Sequence, residues 1–130
     1  MKVLITGFET FDGETVNPSW EAVKRLPSRI AEAEILALKI PVAFALLYDT
    51  LKRAAEEERP DIFLCVGQAG GASEIEIERV ALNLIDARMP DNLGNQPVDV
   101  CLQHNGSTAY FAMSRRPSQI YGSSDVVSCR

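Results

Sequence analysis

The 130-residue chain has few aromatic residues, a single histidine, three cysteines and no excess of positive charge. Its 13 lysines and arginines are outnumbered by 18 acidic residues, which gives a formal charge of -5. A generally basic surface is therefore excluded, and nucleic acids and anionic membranes are poor candidates for a partner. The cysteines, Cys65, Cys101 and Cys129, are an odd set without the C-x-x-C spacing of metal sites, which indicates a reducing cytoplasm without a disulfide framework.

Long apolar runs are also lacking. The longest one, residues 40–48, is far too short to cross a bilayer, and charged residues from Lys2 to Glu14 interrupt the region where a secretory signal would be apolar. We therefore expect a cytoplasmic protein. An apolar share of 46%, a charged share of 24% and a mean hydropathy of -0.02 are typical of a soluble folded chain, and the length suits one domain.

Short apolar runs predict three strands, at residues 2–8, 33–40 and 61–66, with Gly7 as a turn residue near the end of the first. A further strand is expected at residues 78–85. Because helical segments separate the first three runs, the pattern predicts an α/β fold with a parallel sheet covered by helices.

Two helices are predicted between these strands. Asn17 followed by Pro18 is a typical helix start, and that helix should end before Pro27. The second helix runs from Val42, carries apolar residues at helical spacing on one side and ends at Pro60.

Ligands of such sheets bind beyond the carboxyl ends of strands, here in the loops after Gly7 and Val66. The glycines of residues 67–71 have neither a dinucleotide-binding nor a P-loop spacing, and the acidic residues of the first loop would repel phosphate. A nucleotide site is therefore not expected.

Several residues of these loops allow two interpretations. Phe8 and Phe11 are either core residues or a flat apolar clamp for a ring-shaped ligand. Gln68 is either an exposed loop side chain or an amide that donates to and accepts from a ligand. Asn17 is a helix cap that could also contact a ligand.

Three carboxylates, Glu74, Glu76 and Glu78, alternate with isoleucines, so a strand would place them on one face. These glutamates either form a solvent-exposed face of a strand, or one of them, held beside Arg79, acts as an acid or orients a histidine.

The thiols offer little to catalysis on pattern alone. Cys65 lies within an apolar strand, where cysteine behaves as a small buried hydrophobe. Cys101 and His104 are three positions apart in an expected loop, which is no evidence of catalytic geometry.

Several stretches together resemble type I pyroglutamyl peptidases, also called pyrrolidone-carboxylate peptidases. The resemblance covers residues 1–111 in order and nearly without gaps. Its motifs are TGFETF at 6–11, GETVNPSWEAV at 13–23, VGQAGG at 66–71, ERVALN at 78–83, DARMPDN at 86–92, GNQP at 94–97 and AYF at 109–111.

The resemblance implies a cytoplasmic cysteine exopeptidase that needs no metal or cofactor and removes an amino-terminal pyroglutamyl residue from peptides. It implies a three-layer α/β fold of the phosphorylase/hydrolase type, with a mostly parallel or mixed sheet flanked by helices. Of the family's catalytic Cys, His and Glu, the Glu falls on Glu78, which would orient the imidazole. Phe8 and Phe11 match aromatic residues of the pocket, and Asn17 and Gln68 match polar residues near the lactam.

The sequence departs from the family at Ala72, where an Arg is usual, at Glu76, where Ser or Thr is usual, and past Phe111. The family's Cys nucleophile and His base are not recognisable in residues 112–130, a divergent tail rich in Arg and Ser that is poor core material. The abrupt change after Phe111, from family-like sequence to sequence rich in Arg and Ser, is what a shifted reading frame, an early stop or a disordered tail would produce.

We therefore expect residues 1–111 to be the amino-terminal part of a pyroglutamyl-peptidase-like domain that is inactive alone. The alternatives are a non-catalytic pyroglutamyl-binding or interaction module and, ranked lower, an unrelated flavodoxin-like domain. An uncovered sheet edge and exposed apolar helix faces are expected to promote association into homo-oligomers.

Overall fold

A computed structural model describes residues 1–112, so the predicted tail lies outside the described residues except for Ala112. The elements follow in chain order: β1 (Lys2–Phe8), α1 (Pro18–Val23), β2 (Arg29–Ile30), β3 (Ala33–Ile40), α2 (Phe44–Glu58), β4 (Ile62–Cys65), β5 (Val80–Leu82) and β6 (Ala109–Phe111).

Four of the strands form one mixed sheet in the order β2-β3-β1-β4. β1 lies parallel to both of its neighbours, whereas β2 pairs with β3 in the antiparallel sense. The predicted α/β architecture with a mixed sheet is confirmed, and β1 and β3 have the predicted bounds. β2 was not predicted, because a strand of two residues carries no hydrophobic period.

The core lies between α1 and one face of the sheet. Val3 and Ile5 of β1 are buried there with Val23 of α1, and Trp20 packs against them. A β-carbon at Gly7 would stand 2.7 Å from the Trp20 Cα atom. Gly7 therefore lies inside the strand, not at a turn, and its missing side chain allows the helix backbone to approach β1.

The longer helix, α2, covers the sheet more loosely. It carries its apolar residues on one side as predicted, yet none of its residues is buried. Together with Leu4, Leu36 and Leu38 of the sheet it lines a cavity of about 310 Å³. Neither helix in residues 1–112 combines the length and apolar character needed to cross a bilayer.

Within residues 66–112, which are mostly loops and turns, β5 and β6 pair in the antiparallel sense as a second, two-stranded sheet. The buried Asn83 joins this segment to residue 103, since its side-chain amide donates to the Gln103 carbonyl and its side-chain oxygen accepts from the Gln103 N–H, both at 2.8 Å. β5 is shorter than the strand expected at residues 78–85.

Candidate functional site

The carboxyl ends of β1 and β4 lie side by side. The Val66 N–H donates to the Thr6 carbonyl at 3.0 Å, so the loops that follow these two strands leave the sheet together. The chain runs from β1 to β3 on one side, while β4 lies on the other side of β1. Diverging connections of this kind open a crevice at the sheet edge, where ligands of α/β proteins bind.

A cavity of about 160 Å³ opens beside the end of β1. Phe8 and Asn17, two of the predicted substrate-binding residues, both line it, and Trp20 supplies a second aromatic ring. The other lining residues are Thr10, Thr15, Val16, Glu21, Lys24 and Lys39. The cavity thus combines aromatic surface with polar groups of both charges.

Asn17 fixes the first loop to α1. Its side-chain oxygen accepts from the Ser19 N–H at 3.0 Å and from the Ser19 hydroxyl at 2.7 Å, and its amide donates to the Glu9 carbonyl at 2.9 Å. The Ser19 hydroxyl in turn accepts from the Phe8 N–H at 2.9 Å. The predicted helix-cap role of Asn17 is confirmed, and the same side chain holds the backbone around Phe8.

Glu9 and Asn92 hold the other side of this loop. The Val42 N–H and the Asn92 amide donate to the same Glu9 carboxylate oxygen at 3.0 and 2.9 Å, and the Asn92 amide also donates to the Thr10 carbonyl at 2.8 Å. Sequence reasoning missed this network, because its members are far apart in the chain. The one local signal was the pair Asp91 and Asn92 shortly before Gly94, which is typical of a turn with side-chain hydrogen bonds to the backbone.

Asp91 is buried, with 8% of its surface exposed, and accepts four hydrogen bonds. One carboxylate oxygen accepts from the Leu93 and Asn95 N–H groups at 2.9 and 2.8 Å, and the other accepts from the Phe44 N–H at 2.8 Å and from the Asn95 side-chain amide at 3.5 Å. Burial by itself would raise the pKa of Asp91, but these donors together hold it below its ordinary value.

The Asp91 carboxylate therefore caps α2 from a distant part of the chain. The N-cap residue of that helix, Ala43, has no side chain that could accept from the first turn. A carboxylate at this end also complements the positive end of the helix dipole.

The other predicted site residues do not line the cavity beside β1. Phe11 is half-buried, and its carbonyl accepts from the Glu14 N–H at 3.1 Å. Gln68 is exposed in the loop after β4, and Glu78 is half-buried just before β5. The expectation that residues 74–78 form a strand is wrong: this run lies outside the strands, with Glu74 and Glu76 exposed.

The described thiols lie apart from this cavity. Burial raises the pKa of the Cys65 thiol in β4, while the neighbouring Thr6 hydroxyl acts in the opposite direction. Within residues 1–112 the Thr6 hydroxyl oxygen makes no hydrogen bond of normal geometry, so we regard this neighbour as a minor influence. Cys101 and His104 are exposed, and Cys129 lies outside the described residues. Residues 1–112 also contain no cluster of three or more potential metal ligands.

Comparison with known proteins gives one consistent family. The family model described as pyroglutamyl peptidase matches residues 1–117. The pyrrolidone-carboxylate peptidase of Bacillus subtilis is 56% identical over 111 residues, which are 85% of this chain and 52% of that protein. That of Enterococcus faecalis is 50% identical over 111 residues, with the same coverage.

Solved structures agree with these relatives. Pyroglutamyl peptidase I from Bacillus amyloliquefaciens is 51% identical, with a TM-score of 0.80 over 85% of this chain and 54% of that one. A mutant pyrrolidone carboxyl peptidase from Pyrococcus furiosus is 44% identical, with a TM-score of 0.83 over 86% of this chain and 54% of that one. The chain spans about half the length of the relatives it matches. By sequence and by fold, this chain belongs to the pyroglutamyl peptidase family.

Proposed function

We propose that the chain supplies the pyroglutamyl-recognising half of a cysteine-type exopeptidase that removes amino-terminal pyroglutamate from peptides. The observation that carries this proposal is the family match over residues 1–117, joined to a cavity beside the end of β1 that Phe8 and Asn17 both line. Its substrates would be peptides that begin with pyroglutamate.

In this proposal the pyrrolidone ring binds between Phe8 and Phe11, whose flat apolar faces match its shape. The amides of Asn17 and Gln68 pair with the N–H and carbonyl of the lactam, since an amide side chain can both donate and accept. Phe11 and Gln68 lie in the two loops that follow β1 and β4. Substrate binding would therefore draw these loops together over the ring.

Glu78 is proposed to orient the imidazole of a catalytic histidine and to stabilise the imidazolium form. A thiol nucleophile needs an accessible position where the thiolate is favoured. Cys65 does not provide one, because it is a strand residue whose pKa is raised by burial. We therefore propose that the nucleophile and the base correspond to residues in the part of the relatives' sequences that this chain does not match.

The activity of the chain alone tests this division of roles. We expect no release of aminomethylcoumarin from its pyroglutamyl derivative above the buffer rate, because a domain without nucleophile and base has no route to acyl transfer. Full-length pyroglutamyl peptidase I from Bacillus amyloliquefaciens is the positive control. Release by this chain that iodoacetamide abolishes would contradict the proposal.

Ligand binding tests the recognition residues separately. Calorimetry should detect saturable binding of pyroglutamate, with proline binding at least about tenfold more weakly, because proline lacks the ring carbonyl and leaves one of the two proposed amide partners without its acceptor. Phe11→Ala should abolish binding, whereas Phe111→Ala, at a residue that is 79% exposed, should leave it unchanged. Equal binding of pyroglutamate and proline would refute the assigned roles. Saturable binding together with complete inactivity in every assembly would instead favour a non-catalytic binding module.

A further inference from the structure

The two residues between Phe8 and Phe11 are both held by one side chain from a distant part of the chain. The Asn92 amide donates to the Glu9 carboxylate at 2.9 Å and to the Thr10 carbonyl at 2.8 Å. The same NH2 group thus serves both residues that separate the two aromatic rings. The distance between the rings along the loop is therefore constrained from outside the loop.

Glu9 is anchored at its backbone as well as at its side chain. Its N–H donates to the Ile40 carbonyl at 2.9 Å, and its carbonyl accepts from the Asn17 amide at 2.9 Å. The carboxylate oxygen that accepts from Asn92 also accepts from the Val42 N–H at 3.0 Å. These bonds fix the course of the first loop before any ligand is bound.

Asn92 is itself held in place. Its N–H donates to the Val42 carbonyl at 2.9 Å, and the preceding residue, Asp91, accepts the four hydrogen bonds described above. A side chain on a fixed backbone loses less freedom when it forms its bonds than one on a mobile backbone. The Asn92 amide is therefore a firm support for the loop.

The loop after β4 has no comparable support. The structure gives residues 67–77 a single hydrogen bond, from the Ala72 N–H to the Ala69 carbonyl at 3.3 Å, and Gln68 is exposed. Segments with few hydrogen bonds and little burial open at low free energy. Of the two loops assigned to the ligand, the first is thus fixed and the second is free to adapt.

We propose that Asn92 is a positioning residue for ligand binding. By holding Glu9 and Thr10 it keeps Phe8 and Phe11 in the arrangement that accepts the pyrrolidone ring, while the loop after β4 closes over the bound ligand. A loop ordered in advance strengthens binding, because the free energy of ordering it is not taken from the interaction with the ligand. This inference deepens the proposed function and rests on it for the identity of the ligand.

The variant Asn92→Asp tests the inference in the 130-residue chain. Asn92 is exposed, so the added charge is not buried. By calorimetry at about pH 8 the variant should bind pyroglutamate at least about tenfold more weakly than the unmodified chain, because its carboxylate would repel that of Glu9. At about pH 5 the ratio should fall to about threefold or less, since a proton shared by the two carboxyl groups restores a hydrogen bond. Asp91 stays ionised throughout, because its pKa lies below its ordinary value of 3.8.

A matched variant and an exchange measurement complete the experiment. Asn105→Asp adds the same charge at another exposed position and should leave the affinity for pyroglutamate unchanged at both pH values. Without ligand at about pH 8, the amides of Glu9 and Val42 should exchange at least about tenfold faster in Asn92→Asp than in the unmodified chain, with those of β4 unchanged. Circular dichroism checks that each variant is folded. If Asn92→Asp does not fold, Asn92→Ala decides: it removes both donors without adding a charge and should weaken binding at both pH values.

The outcomes separate this inference from the proposed function. Affinity of Asn92→Asp equal to that of the unmodified chain overturns the inference. A loss of the same size at both pH values also overturns it, because it shows general damage to the fold. If the unmodified chain does not bind pyroglutamate, the proposed function is contradicted and the exchange measurement decides the inference. Faster exchange at Glu9 and Val42 then retains Asn92 as the residue that positions the loop, and unchanged exchange overturns that role.

Discussion

Gly7 shows how one missing side chain sets the distance between a helix and a strand. A β-carbon there would lie 2.7 to 2.9 Å from backbone atoms of Ser19 and Trp20, and backbone cannot move aside as the end of a side chain can. We expect Gly7→Ala to lower the free energy of unfolding by about 1–3 kcal/mol, the usual cost of overpacking.

Denaturant unfolding followed by circular dichroism measures this change. Gly70→Ala is the matched control, since a β-carbon at Gly70 meets no atom within 4 Å, and its effect should stay within about 0.5 kcal/mol. Equal stability of the two variants would show that α1 can shift away from β1 without loss.

Asp91 couples the stability of the fold to acid pH. The pKa of Asp91 in the folded chain lies below the ordinary value of 3.8. The contribution of the ionised carboxylate to the free energy of unfolding is therefore complete above pH 3.8 and is lost as the pH falls through the lower, folded-state pKa. Asp91→Asn should be less stable than the unmodified chain at pH 7. The NH2 group of asparagine cannot accept a hydrogen bond, so the backbone N–H groups that donate to one carboxylate oxygen lose their acceptor. The difference between the two should shrink as the pH falls below about 4.

Urea unfolding at a series of pH values measures this difference. Asp86→Asn, at an exposed position, should retain the pH profile of the unmodified chain. A difference between Asp91→Asn and the unmodified chain that stays constant from pH 7 to pH 3 would show that the Asp91 charge contributes nothing.

At the scale of elements, α1 and the loop before it depend on the same side chain, Asn17. Asn17→Ala should cost about 1 kcal/mol, the usual value of an N-cap, because the Ser19 N–H loses its acceptor. Asn17→Asp keeps that acceptor but loses the donor to the Glu9 carbonyl. We expect Asn17→Asp to preserve α1 and to speed hydrogen exchange in residues 9–16.

Unfolding experiments combined with exchange measurements distinguish these two roles. Asn17→Asp should retain more stability than Asn17→Ala while showing the same loosening of the loop. A loop that exchanges at the original rate in Asn17→Asp would mean that Glu9 and Asn92 hold it without Asn17.

The elements with a strong local pattern could be predicted from the sequence. The bounds of β1 and β3 follow from their apolar runs, and the start of α1 follows from Asn17 and Pro18. β6 could not be predicted, because a three-residue strand is defined by its pairing with β5 and not by a period of its own. The prediction for residues 74–78 was wrong for a related reason: alternation favours a strand only where a neighbouring strand is available to pair with it.

In the candidate site, too, residues with a local sequence signal could be predicted, and contacts between distant parts of the chain could not. Phe8 and Asn17 were identified from local sequence, and the structure places both at one cavity. The bonds that connect Glu9 to Asn92 and Asp91 to Phe44 span 83 and 47 positions of the chain, a distance at which no local pattern operates. The substrate-binding roles of Phe8, Asn17, Phe11 and Gln68 and the catalytic role of Glu78 are proposals that rest on resemblance to the family.

At the scale of the whole molecule, the two faces of the sheet are stabilised differently. The face toward α1 carries the buried apolar cluster of Val3, Ile5, Val23 and Ala33. On the other side α2 has no buried residue, and its first turn depends on the Asp91 carboxylate. Leu4 of β1 is buried on this side as well, so the two layers differ in how closely their helices pack and not in whether the sheet is covered.

This difference predicts the order in which the molecule opens. Amides of β1, at the centre of the sheet between β3 and β4, should exchange only on global unfolding, whereas those of α2 should exchange through local openings of lower free energy. Native-state hydrogen exchange at increasing urea concentrations measures both. Asp91→Asn should lower the protection of α2 first and leave the ranking of β1 unchanged. Protection of α2 equal to that of β1 would contradict the prediction, because it would require α2 to open only when the whole sheet unfolds.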